Sequence, residues 1–385
     1  MHTYNFAHYL EWEKIMKKVL LITLWGYDNF GNRLQAIALK KMIESNGYFV
    51  DCVPNDYSTT EYRLKKKIQL ILGILGFQKY RCIALRKIRN RALKKSSLNL
   101  LFPLTPTIHN FNSSGKIDIQ NYSAAVVGSD QVWHRWTVLP NELKFYYLDF
   151  VPTHKRISYA ASFGFEVFPP EDKTIHIQGL EKMNLISCRE VSGCQLVEQF
   201  TNNKAELVLD PTLCVDKSFW DSIEIKPSYS FNKNYILVML LGSKQDYYNV
   251  IKKYAAQNNL DIIDLTDINY KAVWKTSINN FIWLVHHAKI VCTDSFHCSV
   301  FSIIYEKPIT IFKRKQLGFE KMYDRIATLL DICKLHQCEY QDHIVDSLPD
   351  YVNAKESIAP IIEKSRNWLS LALKTVDSQK GVKES

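Results

Sequence analysis

Short apolar runs recur along this chain, and each ends in a polar loop followed by a stretch with helical spacing. That alternation limits the fold more than any other feature. Parallel strands need a crossover between them, and a helix fills it. In the first unit, KKVLLIT (17–23) reads as a buried strand and WGYDNFGN (25–32) as a loop. RLQAIALKKMIESNG then has apolar residues at 34, 37, 38, 39, 42 and 43, a helical period. Gly47 is placed to end that helix, and YFVDCV reads as the next strand. AAVVG (124–128), RISYAASFG (156–164), NLISCRE (184–190) and AELVLDPT (205–212) repeat the strand pattern. A second set follows: YILVMLLG (235–242), DIIDLT (261–266), KIVC (289–292) and PITIF (308–312), with helical stretches INNFIWLVHHA and SFHCSVFSIIYEK between them.

The expected fold class is therefore α/β, with two Rossmann-like domains facing a central cleft. A chain of 385 residues also exceeds one ordinary core. The expected N-terminal domain spans 16–225 with a basic helical insert at 61–97, and the C-terminal domain spans 235–370. The turn-rich KPSYSFNKN (226–234) is the expected linker, residues 1–15 an extension, and 371–385 a disordered tail. No run of about 18 apolar residues exists to form a spanning helix. Residues 1–15 lack the basic and apolar regions of a secretory signal, so a cytoplasmic location is expected. The nine cysteines form no CxxC pair, which signals neither a zinc ribbon nor a redox motif, and reduced buried thiols are expected.

Charge is unevenly placed. Of the 49 basic residues, twelve lie within 63–95, which holds no acid, leaving 37 against 39 acids elsewhere. Inside that arm lies IQLILGILGF (68–77). As a helix it reaches about 15 Å, half a bilayer core, so it cannot span but can lie on an anionic membrane surface. The rival expectation is that its apolar residues pack into the N-terminal domain. No nucleic-acid motif accompanies the basic stretch, and nucleic acid is not an expected partner.

Ligands of open α/β sheets bind at the carboxyl ends of the strands. That rule gathers Asp28, Asn32, Arg33, Ser129, Asp130, Gln131, Ser162, Arg189 and Glu190 on one rim. In the second half a strand ends at Cys292, Thr293 or Asp294 suits a helix N-cap, and His297 falls in the first turn. Backbone N–H groups and the dipole there favour a phosphate or carboxylate, and the dipole should lower the histidine's pKa. Arg189 can take the same groups bidentately, or simply pair with Glu190. Gly26 to Gly31 has phosphate-loop spacing, but Asn32-Arg33 stands where Lys-Ser/Thr should be. No GxGxxG, HExxH or Gly-x-Ser-x-Gly occurs, and His286-His287 lies on adjacent helix faces, so no metal is expected.

Taken in order, GYDNFGNRLQ, VVGSDQVW, ISYAASFG, SCRE, LVLDPTL and TDSFHCSVFSIIYEKPI resemble the polysaccharide pyruvyl transferase family. The resemblance implies an architecture similar to GT-B glycosyltransferases. It also implies transfer of a pyruvyl group from phosphoenolpyruvate to two hydroxyls of a sugar, giving a cyclic ketal on a surface or exopolysaccharide building block such as capsule. The acceptor would be lipid-linked or nucleotide-linked, and no cofactor is required. The family's S-x-H histidine falls on His297, and the arginine of its S-x-R-[DE] motif on Arg189. Many members have glycine after that histidine; here it is Cys298. His297 and Arg189 are the expected catalytic residues. Asp28, Asn32, Arg33, Ser129, Asp130, Gln131, Glu190, Ser295 and Arg325 are the expected substrate-binding set. Two other functions fit the same pattern: a GT-B glycosyltransferase using a nucleotide sugar, and a non-catalytic carbohydrate-binding or assembly module.

Overall fold

The computed structural model of the protein describes residues 16–24, 29–53, 67–72, 74–75, 118–136, 142–229, 231, 234–243, 245–267, 273, 276–314 and 323–383. The expected extension at 1–15, Asp28 and most of the insert at 61–97 lie outside these residues.

The first half contains strands β1 (Lys18–Ile22), β2 (Phe49–Val53), β3 (Tyr122–Asp130), β4 (Arg156–Ala161), β5 (Leu185–Cys188) and β6 (Ala205–Leu207). Its helices are α1 (Phe30–Glu44), α2 (Glu142–Tyr146), α3 (Lys173–Glu181), α4 (Val191–Phe200), α5 (Pro211–Cys214) and α6 (Lys217–Ile223). The second half runs β7 (Tyr235–Met239), α7 (Gln245–Gln257), β8 (Asp261–Asp264), α8 (Ile278–His287), β9 (Ile290–Thr293), α9 (Phe296–Ile304), β10 (Ile309–Ile311) and α10 (Asp324–Cys333), then α11 (Tyr351–Lys383). The strands pair in parallel, in the orders β2-β1-β3-β4-β5-β6 and β10-β9-β7-β8. The α/β class with two Rossmann-like parallel sheets is therefore borne out.

Local chemistry explains the elements. β3 is buried at every residue, as parallel strands covered on both faces must be, and its middle reads as the apolar run AAVV. Asn29 caps α1 by accepting from the Asn32 amide. Gly47 takes φ 84 beyond the helix end, where a side chain would be strained. Strand register then levels the sheet's rim: Asp130 pairs with Ala161, Ala161 with Cys188, and Cys188 with Leu207. Whatever follows these residues projects from one edge.

The halves meet closely. One apolar cluster takes in Leu34, Ile37 and Leu39 of α1 together with Phe281 and Val285 of α8 and Phe301 of α9. Phe30 stacks on Phe281 with ring centroids 5.0 Å apart. The cleft is therefore closed beneath the rim by a shared core.

The C-terminal boundary corrects an expectation. Residues expected to form a disordered tail from 371 are helical to Lys383, and Leu369, Ala372, Leu373 and Val376 are buried. Their helical spacing forms an apolar stripe, which the mixed charges around it mask in the sequence. Tyr48 and Lys17 both donate to Asp377 Oδ2, at 2.7 and 3.0 Å. The Leu209 amide donates to Ser365 Oγ, and Arg366 Nε to the Cys214 carbonyl. The last helix thus fastens to the first half.

Within the basic arm, residues 67–72 are helical. Ile68, Ile71, Ile74 and Leu75 are 50%, 55%, 64% and 69% exposed, so these four are not packed into the domain as the rival expectation required. No helix among the described residues is long and apolar enough to cross a membrane. The eight cysteines among them are free.

Candidate active site

The centre of the rim is a buried carboxylate, Asp210, at the end of AELVLD. It caps α5, with Oδ1 accepting from the Thr212 amide and hydroxyl at 3.0 and 2.6 Å. Its other oxygen, Oδ2, accepts from Arg189 Nη1 at 2.6 Å and from Ser129 Oγ at 2.9 Å. Arg189 follows β5, and its Nη2 donates to Asp130 Oδ1 at 3.0 Å. Asp130 ends β3 with φ 71, a left-handed conformation that aspartate tolerates better than branched residues. Arg325, at the start of α10, approaches the same Asp130 oxygen at 3.6 Å.

The second half contributes His297. Its Nε2 lies 3.4 Å from Asp210 Oδ2, so the histidine and Arg189 share one carboxylate oxygen across the domain junction. The imidazole sits on Gly31 of α1, so close that a Cβ there would fall 2.2 Å from Nδ1. The expected N-cap is corrected. Ser295, not Thr293 or Asp294, precedes α9, and no side chain caps it. Asp294 is drawn off because β9 lies beside β7, where its carboxylate accepts from the Leu241 and Gly242 amides at 2.7 and 2.8 Å. Thr293 Oγ1 accepts from the Ser295 amide instead. Phe296 lies under both guanidinium groups, 4.5 Å from Arg189 and 5.8 Å from Arg325.

All of these charges are nearly removed from water. Burial pushes the Asp210 and Asp130 carboxyls up, but their basic neighbours outweigh it. His297 and Arg189 hold Asp210 well below the usual range, and Arg189, His297 and Arg325 hold Asp130 below it. Burial pulls Arg189 down, yet Asp130, Asp210 and Glu190 keep it above its ordinary value. Arg325 has less compensation. Burial and the charge of Arg189 bring it down to about 10 despite Asp130 and Glu190. Glu190 goes the opposite way from the aspartates, since its burial outweighs Arg189 and Arg325 and its carboxyl is raised. Its Oε1 accepts from the Phe163 amide at 3.0 Å.

Of the expected residues, Ser129, Asp130, Arg189, His297 and Arg325 converge on this cluster, with Glu190 beside it. Gln131 is buried against Gly164, and its carbonyl accepts from Trp136 Nε1. Asn32 gives its amide to the α1 cap and its carbonyl to Gln35. Arg33 is buried in α1. Asp210, quoted only within LVLDPTL, and Gly31, noted only for its phosphate-loop spacing, were not among the expected site residues. For Asp210 the available signal was Asp-Pro-Thr after a strand, a helix cap at the sheet's rim. Away from the cluster, Glu224, His286 and His287 can bring one ligand atom each within 4.8 Å of the others, although Glu224 Oε2 already meets His286 Nδ1 at 2.8 Å.

Two parallel sheets holding two arginines, a histidine and three carboxylates at their junction define a two-lobed α/β protein with a buried, charge-lined centre. Residues 29–315 match the polysaccharide pyruvyl transferase family, and the chain belongs to that family. No curated protein matches it in sequence. Solved structures similar in fold include an uncharacterised Klebsiella pneumoniae protein, 11% identical, covering 89% of this chain and 100% of that one with a TM-score of 0.44. A UDP-GlcNAc 2-epimerase from Neisseria meningitidis, bound to UDP-GlcNAc, is 10% identical over 93% of this chain and 94% of its own, with a TM-score of 0.43. ADP-heptose LPS heptosyltransferase II of E. coli is 10% identical over 91% and 99%, with a TM-score of 0.30.

Proposed function

We propose that the protein takes phosphoenolpyruvate as donor and builds a cyclic pyruvate ketal on a hydroxyl pair of a saccharide destined for a surface or exopolysaccharide. The observation that carries this reading is the pair of buried guanidinium groups beside His297 and Glu190: Arg189, held by Asp210 and Asp130, and Arg325, which is short of counter-charge. Phosphoenolpyruvate brings a carboxylate and a phosphate. Two guanidinium groups bind such oxygens bidentately, and a buried arginine short of counter-charge gains most from an anion.

The chemistry takes one proton from each of two hydroxyls and delivers one to C3 and one to phosphate. One acceptor hydroxyl adds to C2 of the enol while C3 gains a proton, and the hydroxyl loses its own. The second hydroxyl then displaces phosphate from C2, and its proton leaves with the phosphate. We assign Glu190, buried at the N-terminus of α4 beside Arg189, as the proton donor to C3. His297, oriented by Asp210, accepts the first hydroxyl's proton, which replaces the one Glu190 gives to C3; such groups contribute typically about 10²–10⁴-fold each. Ser129 and Thr212 fix Asp210, so the histidine's partner does not drift.

The test is phosphate release from phosphoenolpyruvate with a panel of galactose, mannose and N-acetylhexosamine acceptors. His297→Ala, and Arg189→Lys, which keeps charge but loses the fork, should each lower release by at least about 10²-fold with the fold intact by circular dichroism. Near-normal release by both variants, or consumption of a uridine or guanosine diphosphate sugar in place of phosphoenolpyruvate, overturns the reading.

We further propose that the enzyme works at an anionic membrane surface, where lipid-linked acceptors are made. The support is the exposed Ile68, Ile71, Ile74 and Leu75 within a segment flanked by twelve cations and no acid.

A further inference from the structure

An open pocket of about 250 Å³ lies beside the charged cluster. That volume is just below the ~300–1,000 Å³ typical of small-molecule sites. One wall is a face of α4 presenting Val191, Ser192, Gln195 and Gln199; Glu166 and Asp324 stand around it. Both walls continue directly into the centre. Glu190 is the N-cap of α4, immediately before Val191, and Arg325 immediately follows Asp324. Ser192 Oγ donates to Asp324 Oδ2, joining the two halves at this point.

We infer that this pocket is the acceptor subsite and that it takes an uncharged, hydroxyl-rich sugar ring; the inference rests on the donor reading of the adjoining centre. Glutamine amides both donate and accept, and carboxylates accept from paired hydroxyls, which is the pattern a pyranose edge needs. Val191, 45% exposed, gives the apolar C–H face of a ring a place to lie. Among the described residues, no lysine, arginine or histidine is in the lining, while two carboxylates are. A diphosphate or a uronic acid would meet like charge there without a compensating cation, and such juxtaposition selects against a ligand. Any phosphate-bearing carrier of the acceptor therefore stays outside this pocket. The position is right for reaction, since a ring held against Val191 and Asp324 has its hydroxyls next to Glu190 and Arg325, where the donor's C2 would be held.

The experiment uses the full chain and saturation-transfer NMR. The probes are the methyl glycosides of galactose, glucose, mannose and N-acetylglucosamine, methyl glucuronide, and phosphoenolpyruvate. At least one neutral glycoside should bind, and methyl glucuronide should bind at least about tenfold more weakly than methyl glucoside. The double variant Gln195→Ala/Gln199→Ala should weaken the neutral glycoside by about tenfold or more while phosphoenolpyruvate affinity stays within about twofold. Glu166→Gln should narrow the glucuronide gap. Failure of every neutral glycoside to bind, unchanged glycoside affinity in the double variant, or glucuronide binding as well as glucoside each overturns the acceptor assignment. Absence of phosphoenolpyruvate binding to the unmodified chain strikes instead at the donor reading, so the two failures are told apart.

Discussion

Gly31→Ala tests how the two halves make one site. Gly31 is the second residue of α1, a position where alanine is the better helix former by about 0.5–1 kcal/mol. On local grounds the substitution should stabilise the protein. The tertiary contact reverses the sign. The new Cβ would lie 2.2 Å from His297 Nδ1, 2.7 Å from Cγ and 3.0 Å from Cε1, where ordinary contact begins near 3.4 Å. The imidazole must therefore retreat by roughly 1.2 Å, the difference between 3.4 and 2.2 Å. Its rotation is restricted, because His297 is nearly buried and its Nε2 faces Asp210 at 3.4 Å. Overpacking of this kind costs about 1–3 kcal/mol, which exceeds the helix gain. A displacement of about 1 Å in a catalytic group can lower turnover by about 10²-fold. We expect Gly31→Ala to reduce phosphate release from phosphoenolpyruvate by about 10²-fold, with thermal unfolding unchanged or a few degrees lower. A variant with wild-type turnover and a raised melting temperature would show that His297 does not rest on α1 in the working enzyme, and the junctional site as described would fail.

Three further outcomes are expected. Asp210→Asn removes the charge that anchors Arg189 and His297. It should lower turnover by at least about 10³-fold and stability by about 3–5 kcal/mol, measured by denaturant titration. Because the folded Asp210 pKa is depressed, its stabilisation is present above the unfolded value near about 3.9 and lost as pH falls through the folded value. Asp210→Asn should therefore weaken the acid limb of the stability curve. Glu190 has the opposite linkage: its folded pKa is raised, so its contribution is present below about pH 4.3 and lost as pH rises through the folded value. Glu190→Gln, which still accepts from the Phe163 amide, should raise the melting temperature near neutral pH, with the gain fading toward about pH 4. The same change should lower turnover by about 10²-fold; a fully active variant would remove Glu190 as the proton donor. In vesicle flotation the protein should bind anionic but not neutral vesicles, weakened by salt and by Ile71→Glu/Ile74→Glu; equal recovery in the soluble fraction with both lipids would refute membrane attachment.

Much of the scaffold was legible because its signals are local. Strands buried on both faces give unbroken apolar runs such as KVLLI and AAVV, and the helix after β1 carries its own period, cap and terminating Gly47. Arg189 and His297 stood out for the same reason, since Arg189 directly follows β5 and His297 lies in the first turn of the helix after β9, where α/β sheets put their ligands. The N-cap of α9 was misread because the choice among Thr293, Asp294 and Ser295 depends on a neighbour in another strand: Asp294 is captured by amides following β7. The tail was misread because its apolar stripe is sparse, and only the partner surface of β3, Tyr48 and Cys214 shows what it covers.

The sequence by itself determined the order of strands and helices, the two parallel sheets and the edge on which the polar residues collect, since periodicity and strand-end chemistry act over a few residues. Only the tertiary structure decided which of those polar residues meet. Asp210 is 21 positions from Arg189 and 87 from His297, yet both face one of its oxygens. No local pattern encodes that meeting, because it depends on how the two sheets pack across α1, α8 and α9. It also set the electrostatics: buried together, the same carboxyl chemistry is held down in Asp210 by its contacts with His297 and Arg189 and pushed up in Glu190 by desolvation.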